Sequence, residues 1–367
     1  MTGISIAAVG DIMLGDHPVC FGHGVRSTIR KRGFEFMVRD VSSQMLGNDV
    51  VFGNLECVLS DLPEENDNTL ARSELRGDKK AVGLLQACGV NVVSVANNHM
   101  LQHGIDAFRE TVDWLASHQI RSVGLYEDGR SNVVEIRKDD QHVVMLGFSL
   151  RPEHFCRDNK HYAHGPENQI LEQVRHLRAK WPESSIVVSL HWGEEYLHVP
   201  SRTQIDFAHA LIDAGTTLVL GHHPHVLQGL ERYGDGLVAY SLGNFLFDSW
   251  QKPTREAGIL KCVLDRGRVR EFSFTPLIIG DDFAITTKDS ISSTSIQNKL
   301  RTYSDAVAGR NDLAAVDEAT YDGIAAKAYL RYRLECYWYF VTHFWKYEPG
   351  ILFSSLFRSV LRRVGLA

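Results

Sequence analysis

The chain has 367 residues, of which 44% are hydrophobic and 23% are charged, and these values are ordinary for a globular protein with a sizeable core. Its formal net charge is −6 and its basic residues form no long tract, which argues against a nucleic-acid partner. The same net negative charge argues against electrostatic binding of a polyanion over a broad surface, whereas a local basic groove is compatible with the sequence.

The six cysteines are scattered and include no Cys-x-x-Cys pair, which argues against a disulfide framework or a zinc finger. The N-terminal residues run straight into an apolar pattern, without the charged and long apolar regions of a signal peptide. No apolar run reaches the roughly 18 residues that a membrane-spanning helix needs. We therefore expect reduced cysteines and a cytoplasmic location.

In chain order, apolar runs that end in polar or glycine-rich turns predict strands. They lie at residues 4–9, 49–52, 91–95, 142–148, 186–190, 217–220 and 236–240. Stretches of helical character lie between several of them, at residues 79–87, 105–117, 168–180 and 202–214. Such runs suit strands that are covered on both faces, and their alternation with helices predicts a mainly parallel α/β sheet. Ligands gather at the carboxyl ends of the strands in sheets of this kind.

The C-terminal part of the chain has a different character. Residues 286–300 are rich in Ser, Thr and Lys and are expected to form a linker or surface arm, whereas residues 310–345 carry helical periodicity. The tail at 337–367 combines many aromatic residues with arginines, so it fits a cover packed on the core, an interfacial membrane segment or a partner contact. We expect one domain at residues 1–285, followed by a linker and helical extension at residues 286–367.

Residues with metal-binding chemistry follow several of the predicted strands. They are Asp11, Glu56, Asn98, His99, His191, His223 and His225. Divalent ions at hydrolytic centres need oxygen and imidazole ligands that converge from different strands and leave room for water and substrate. Carboxylate and amide oxygens suit Mn or Mg, whereas several imidazoles shift the preference toward Zn, Fe or Mn. The sequence therefore predicts a divalent-metal site at the strand ends.

Each of these residues also has a purely structural explanation. Asp11 could cap a helix, Asn98 could belong to a turn, and His191 could be a core histidine. The segment at 221–225, however, contains three histidines around a proline, and a surface loop rarely needs such a density of imidazole groups. The functional interpretation is favoured for this segment, and its co-occurrence with the other residues extends that interpretation to them.

Six short motifs occur in a specific order. They are Gly-Asp-Ile-Met-Leu-Gly at 10–15, Asn-Leu-Glu-Cys at 54–57, Ala-Asn-Asn-His at 96–99, His-Trp-Gly-Glu-Glu-Tyr at 191–196, Gly-His-His-Pro-His-Val at 221–226 and Tyr-Ser-Leu-Gly-Asn-Phe-Leu-Phe-Asp at 240–248. This order resembles the CapA family, which is named for capsule and poly-γ-glutamate biosynthesis and belongs with the calcineurin-like metallophosphatases. The resemblance spreads over residues 4–280. It implies an α/β fold, namely a four-layer α/β/β/α metallophosphatase-like sandwich with a C-terminal helical extension.

The resemblance also implies a role for each matching residue. The implied metal ligands are Asp11, Glu56 as the bridging acid, Asn98, His191, and the closing pair His223 and His225, with His222 as an alternative first member of that pair. His99 would act as a general acid or stabilise charge, beside a catalytic contribution from His191. The first motif departs from the family pattern, because Met13 stands where metallophosphatases carry a histidine two residues after the acid. One metal position therefore lacks its usual histidine.

Further polar residues are candidates for contacts with the substrate. Glu194 is the candidate catalytic base, and Arg151, Glu195 and Asn244 are the candidate substrate-binding residues. Each has an ordinary alternative, since loop carboxylates are often merely solvated, an arginine often forms a surface salt bridge, and an asparagine often belongs to a turn.

Three functions are compatible with these residues. The first, which we expect, is metal-assisted hydrolysis or transfer at an amide or phosphoester, with a peptide-like or anionic polymer such as a γ-glutamyl chain as the substrate. The second is a metal-independent acid–base enzyme that acts on a peptide, in the manner of an epimerase. The third is a non-catalytic subunit of a polymer synthase, with capsule-synthesis proteins as its partners.

Overall fold

The computed structural model describes residues 3–62, 75–287, 290–314 and 316–347. The strands in chain order are β1 (Ile4–Ile12), β2 (Val50–Leu55), β3 (Val58–Leu59), β4 (Arg76–Gly77), β5 (Val92–Ser94), β6 (Arg121–Val123), β7 (Tyr126–Glu127), β8 (Arg130–Ser131), β9 (Val134–Lys138), β10 (Gln141–Ser149), β11 (Ser185–His191), β12 (Leu218–His222), β13 (Leu230–Tyr233), β14 (Gly236–Ala239), β15 (Asn244–Leu246), β16 (Glu256–Asp265), β17 (Arg268–Ile279) and β18 (Ile285–Thr286). The helices are α1 (Val25–Arg32), α2 (Phe34–Val38), α3 (Ser42–Met45), α4 (Val82–Ala87), α5 (Gly104–Ser117), α6 (Glu167–Lys180), α7 (Arg202–Asp213), α8 (Ser290–Val307) and α9 (Glu318–Thr342). Short 3-10 turns lie at Pro18–Cys20, Lys79–Ala81, Pro253–Arg255, Asp312–Ala314 and Phe344–Lys346.

Most of these strands belong to two main sheets. The first sheet has the order β18–β17–β16–β1–β2–β5–β6, and β15 pairs with the end of β1. The second sheet has the order β13–β14–β12–β11–β10–β9. Strands β1, β2, β5 and β6 run parallel in the first sheet, as do β14, β12, β11 and β10 in the second, and antiparallel strands flank both sets. The expectation of a mainly parallel arrangement holds for both sheet centres.

Alternate side chains of the central strands are buried on opposite faces of each sheet. In β1, Ile4 and Ile6 pack between the two sheets, whereas Ala7 and Val9 face the helices. Helices α1 to α5 cover the outer face of the first sheet, and α6, α7 and the end of α8 cover that of the second. Burial on both faces explains the uninterrupted apolar runs in the sequence. The expected four-layer α/β/β/α sandwich is therefore confirmed.

The helices predicted between the strands are present. Helices α5, α6 and α7 match their predicted ranges to within one residue at each end. The predicted helix at 79–87 begins with a 3-10 turn and continues as α4. The cysteines all lie in the described ranges, where none forms a disulfide, in agreement with the scattered spacing.

Residues 286–300 differ from the expected linker, because α8 occupies most of them. Ile296, Leu300 and Val307 recur at helical spacing and are buried, and the helix packs against β13 and β17. Ser304 Oγ also accepts the backbone N–H of Leu230 at 3.0 Å. The prediction of a linker was wrong. The many polar residues suggested a linker, but the same segment also carries apolar residues at helical spacing that are buried against the sheets. The division into two domains stays a prediction.

Helix α9 lies within the range that was predicted to be helical. Its Tyr332 ring stacks on Tyr196, with the ring centroids 4.4 Å apart, and the Tyr332 hydroxyl lies 3.1 Å from His17 Nε2. Within the described ranges, no helix combines the length and the apolar character that crossing a bilayer requires. The residues after 347, to which most of the predicted tail belongs, lie outside the described part of the chain.

Candidate metal centre

Asp11 lies near the end of β1, where its carboxylate is fully buried. Asn54 Nδ2 donates to Asp11 Oδ1 at 2.9 Å, and the backbone N–H of His223 donates to Asp11 Oδ2 at 3.1 Å. Burial alone would raise the pKa of this carboxyl group, but its contacts with His222 and His225 hold that pKa well below its usual range. Asp11 is therefore an ionised acid inside a strand, and the alternative role as a helix cap does not apply.

Glu56 directly follows β2 and is also fully buried. Neither of its carboxyl oxygens has a hydrogen-bond partner among the described residues. Glu56 Oε1 lies 3.8 Å from His99 Nε2, 3.8 Å from His191 Nε2 and 3.7 Å from His225 Nε2. Burial, together with the charge of Asp11, raises the pKa of Glu56 well above its usual range, although His225 opposes this shift. A buried carboxyl group surrounded by imidazoles and lacking its own partners is what a bound cation would satisfy.

The histidine segment after β12 has a strained backbone. His223 and His225 have φ angles of 98° and 57°, in the left-handed region that residues other than glycine rarely adopt. His225 Nδ1 lies 3.3 Å from Asp11 Oδ2 and 3.0 Å from Asn244 Oδ1. Burial alone would lower the pKa of His225, but the charges of Glu56 and Asp11 raise it to about 10. A protonated His225 therefore balances the charge of the buried acids.

His222 and His223 occupy different places in the centre. Both rings are buried, and within the described ranges neither ring has a hydrogen-bond partner. The His223 ring lies 4.7 Å from the His191 ring, and burial lowers its pKa well below the usual range. His222 Nδ1 lies 3.4 Å from Asp11 Oδ1 without the geometry of a hydrogen bond. Ring nitrogens of His223 and His225 take part in clusters of ligand atoms, which favours these two residues as the closing pair.

Two buried asparagines that the sequence analysis did not assign to the centre orient its groups. Asn97 Nδ2 donates to Leu55 O at 2.8 Å and to Asn54 Oδ1 at 3.2 Å, and its own Oδ1 accepts the backbone N–H of His99 at 3.2 Å. These bonds fix the Asn54 amide with its Nδ2 toward Asp11. Asn54 could have been noticed because it lies just after the strand predicted at 49–52, but the role of Asn97 depends on contacts that only the fold creates.

His191 is the last residue of β11, and its ring contacts the side chains of two asparagines. Asn54 Nδ2 lies 3.3 Å from His191 Nδ1, so Nδ1 accepts a hydrogen bond from the Asn54 amide. The other ring nitrogen, Nε2, lies 2.7 Å from Asn98 Oδ1. Burial lowers the pKa of His191 well below its usual range, against the effect of Asp11. His191 is therefore a neutral imidazole whose Nε2 faces both Asn98 and Glu56.

His99 stands on the open side of the centre. Its Nδ1 donates a hydrogen bond to Gln102 Oε1 at 3.0 Å, so Nε2 carries the lone pair and faces Asn98 Nδ2 at 3.5 Å. Burial lowers the pKa of His99, although Gln102 opposes the shift. A neutral ring whose Nε2 lone pair lies beside Glu56 can accept and return a proton.

Overlapping groups of ligand atoms mark where an ion would fit. The groups are Glu56–His191–His223, Glu195–His223–His225 and Asp11–Glu56–His225, and within each group the ligand atoms lie within 4.8 Å of one another. Buried atoms of Glu56 and His223 lack hydrogen-bond partners in the described part of the chain. Carboxylate oxygens and imidazole nitrogens are the donors that Zn, Mn and Fe accept. The residues present therefore fit a divalent ion.

Two cavities flank the centre. The wider one, of 580 Å³, is lined by residues that include Asn98, His99, Arg151, Glu194, Glu195 and His223. The narrower one, of 210 Å³, is lined by residues that include His99, Glu195, His225, Asn244, Trp250 and Tyr332. Tyr329 of α9 lines both cavities, so α9 forms a roof over the candidate centre.

The residues predicted to contact substrate lie around these cavities. Arg151 donates to Glu194 Oε1 at 2.6 Å and to Gly193 O at 2.6 Å, so Arg151 and Glu194 form an ion pair on the wall of the wider cavity. Asn244 lines the narrower cavity and contacts His225, while its Nδ2 donates to Ser249 Oγ and to the carbonyl of Thr254. The structure brings the predicted residues together, and their individual roles stay predictions.

Comparisons with known proteins place the chain among proteins of capsule biosynthesis. It is 30% identical over 268 residues to the capsule biosynthesis protein CapA of Bacillus anthracis, covering 70% of this chain and 63% of that protein. It is 27% identical over 304 residues to the PGA biosynthesis protein CapA of Bacillus subtilis, covering 81% of this chain and 77% of that protein. The chain thus spans less than two thirds of the length of the Bacillus anthracis relative.

A solved structure with related architecture is the sulfate thiohydrolase SoxB of Thermus thermophilus. It aligns with a TM-score of 0.46 and 13% identity, over 83% of this chain and 61% of that chain. The similarity is weak, and the fold assignment rests on the sheet order and layers described above.

The family description "Bacterial capsule synthesis protein PGA_cap" matches residues 5–249. This range contains Asp11, Glu56, His191, His223 and His225, whereas α9 lies beyond it. The matched range and the two relatives confirm the predicted resemblance to the CapA family. The chain therefore belongs to the bacterial capsule synthesis protein family PGA_cap.

Proposed function

We propose that this member of the capsule-synthesis family is a metal-dependent enzyme that hydrolyses or transfers an amide or phosphoester of a peptide-like or anionic polymer. The observation that carries the proposal is the set of buried ligand atoms on Glu56 and His223 that lack partners in the described ranges. They belong to overlapping groups of potential ligand atoms that also include atoms of His191 and His225, and within each group the atoms lie within 4.8 Å of one another. A buried polar group without a hydrogen-bond partner destabilises the folded protein by ~1–3 kcal/mol, and binding of an ion would offset this cost.

The residues that would hold the ion are the predicted ligands, namely Asp11, Glu56, Asn98, His191, His223 and His225. Their mixed carboxylate, amide and imidazole donors suit Mn, Fe or Zn better than Mg. A divalent ion bound there supplies Lewis acidity to a carbonyl or phosphoryl oxygen of the substrate.

The chain's own side chains would position the substrate and move the proton. The lone pair on His99 Nε2 would take a proton and return it to the leaving group, and His99 lines both cavities. Arg151, held by Glu194 and the carbonyl of Gly193, would orient an anionic group of the substrate. Tyr329 and Tyr332 of α9 would limit access of water to the reacting bond.

Turnover by chelated and metal-reloaded protein tests this proposal. Poly-γ-glutamate, followed by size-exclusion chromatography, and bis(p-nitrophenyl) phosphate serve as amide and phosphoester probes. We expect activity on at least one probe after reloading with Mn or Zn, and its loss on chelation and in His223→Ala. His176→Ala, which changes an exposed histidine of α6, should behave as the wild type. Full activity of the chelated protein would contradict the proposal.

A metal-independent acid–base enzyme is a second candidate, and the orientation of Asn54 favours it. Because Asn97 fixes the Asn54 amide, His191 Nδ1 faces a donor and Nε2 carries the proton, which is already bonded to Asn98. In this candidate, the neutral His99 ring would take the proton from a peptide α-carbon and the His191 Nε2–H would supply one to it. Deuterium uptake from heavy water into a peptide by the chelated protein would support this candidate over the first.

A further inference from the structure

Helix α9 has two faces of different character. On one face, the hydroxyls of Tyr332 and Tyr339 lie 3.1 Å and 3.4 Å from ring nitrogens of His17 and His23, in the loop after β1. By helical spacing, the opposite side forms an outward face of apolar and aromatic residues, each more than half exposed. These residues are Leu330, Leu334, Tyr337, Trp338 and Val341. Contiguous apolar surface of this kind marks a contact with a partner or with a membrane.

The side chains on and beside the outward face favour a bilayer surface as the contact. Tyr337 and Trp338, together with Trp345 in the 3-10 turn after the helix, combine a large apolar ring with a polar O–H or N–H group. Such side chains are enriched at the boundary between lipid tails and headgroups. Helical spacing places Arg331 and Arg333 on the two flanks of the outward face, and both are exposed. Their long side chains can cover apolar surface while the guanidinium groups reach the headgroup layer.

The distribution of charge along the chain separates a bilayer from a second copy of this chain as the occupant. Residues 324–367 contain seven lysines and arginines but two acidic residues, a formal charge of +5, whereas the rest of the chain carries −11. One of the two acids, Glu335, pairs with Arg331 on the helix surface. Two copies that met through their outward faces would bring two basic segments together. A layer of anionic headgroups would instead attract this segment.

We propose that the outward face of α9 docks on the surface of a lipid bilayer that contains anionic headgroups, with Leu334, Trp338 and Val341 inserted among them. None of the residues of the outward face lines either of the two cavities that flank the candidate metal centre, whereas Tyr329 of the same helix lines both. The bilayer and the candidate centre would therefore lie on different sides of one helix. A substrate bound in the cavities would then be held close to the membrane surface.

Flotation of the full-length protein with vesicles tests the inference. The vesicles consist of phosphatidylcholine alone, or of phosphatidylcholine and phosphatidylglycerol in equal parts. We expect the wild type to float with the anionic vesicles and to stay behind with the neutral ones. In Leu334→Glu/Trp338→Glu, flotation should fall by roughly tenfold or more, because apolar contact is lost and two acids face the anionic headgroups. Leu46→Glu, at an exposed leucine after α3, is the matched control and should float as the wild type does.

The inference is independent of the metal centre, so chelation should leave flotation unchanged. Undiminished flotation of Leu334→Glu/Trp338→Glu, with a thermal unfolding curve that matches the wild type, would overturn the role of the outward face. Equal flotation with both kinds of vesicle would overturn the role of the anionic headgroups. A wild type that floats with neither kind would overturn the inference as a whole. A dimeric mass by light scattering that the double variant lacks would then assign the outward face to a second copy.

Discussion

The surroundings of the two buried acids at the centre shift their pKa values in opposite directions. Asp11 is fully buried, but its contacts with the His222 and His225 imidazoles hold its pKa below the usual range. Glu56 is equally buried and makes no hydrogen bond among the described residues, and burial together with the charge of Asp11 raises its pKa although His225 opposes the shift. The difference follows from the contacts and charge of the imidazoles beside Asp11, because burial acts on both acids in the same sense. His225, between them, takes up the positive charge that the ion-free centre needs.

The stability of the chelated protein should depend on pH through His225. Its pKa rises from 6.5 in the unfolded chain to about 10 in the folded one, so the folded state holds a proton that the unfolded state releases. The resulting stabilisation is fully present below pH 6.5 and is lost as the pH rises toward 10. Urea unfolding of the chelated protein at pH 7, 8 and 9 should therefore show a falling free energy of unfolding. The fall should be shallower in His225→Gln, and equal slopes in both proteins would contradict this explanation.

Asn97 should matter for stability more than its neighbour Asn98. Asn97→Ala removes bonds to Leu55, Asn54 and His99 inside the core and leaves their polar groups unpaired. We expect a loss of ~1–3 kcal/mol in the free energy of unfolding, measured by urea denaturation of the chelated protein. Asn98→Ala, at the half-buried position facing the wider cavity, should cost less. An equal or larger loss in Asn98→Ala would show that the Asn97 network is not what orders the centre.

At the scale of elements, the strands and helices were predicted well where a single hydrophobic pattern, either an unbroken apolar run or a helical spacing, dominated the segment. Both faces of β1 and β11 are covered, so their apolar runs are unbroken and easily recognised. Helix α8 was missed because serines and threonines outnumber its buried positions, of which Ile296 and Leu300 are examples. The roof formed by α9 could not have been predicted, because the contact between Tyr332 and Tyr196 joins residues far apart in the chain and depends on side-chain shape.

Helix α9 should be held in place by the face that carries Tyr332 and not by the exposed face that carries Trp338. Tyr332→Ala removes the stack on Tyr196 and the contact with His17, so α9 should open more often. Hydrogen–deuterium exchange should become faster across α9 and remain unchanged in β1 and β11. Trp338→Ala, on the same helix but with 70% of the residue exposed, serves as the control and should leave exchange unaltered. Equal protection of α9 in wild type and Tyr332→Ala would contradict the anchoring role of Tyr332.

At the scale of the whole molecule, the centre lies where the two sheets bring the carboxyl ends of their strands together. Asp11 and Glu56 come from the first sheet, and His191 and the histidine segment come from the second. The ordered motifs predicted this meeting, since polar residues that end parallel strands gather at one edge. The sequence could not reveal the shared groups of ligand atoms, the orientation fixed by Asn97, or the position of Glu195 beside the histidines. These depend on distances across the sheet interface, which no spacing along the chain records.

The central claim, that this centre binds a divalent ion, is tested most directly by anomalous diffraction from crystals soaked in Zn²⁺ or Mn²⁺. We predict that the strongest anomalous peak lies within about 2.5 Å of ligand atoms of Glu56 and His223. The peak should be absent from crystals of His223→Ala that are soaked in the same way. Wild-type crystals that show metal peaks on surface residues but none at Glu56 and His223 would contradict the claim.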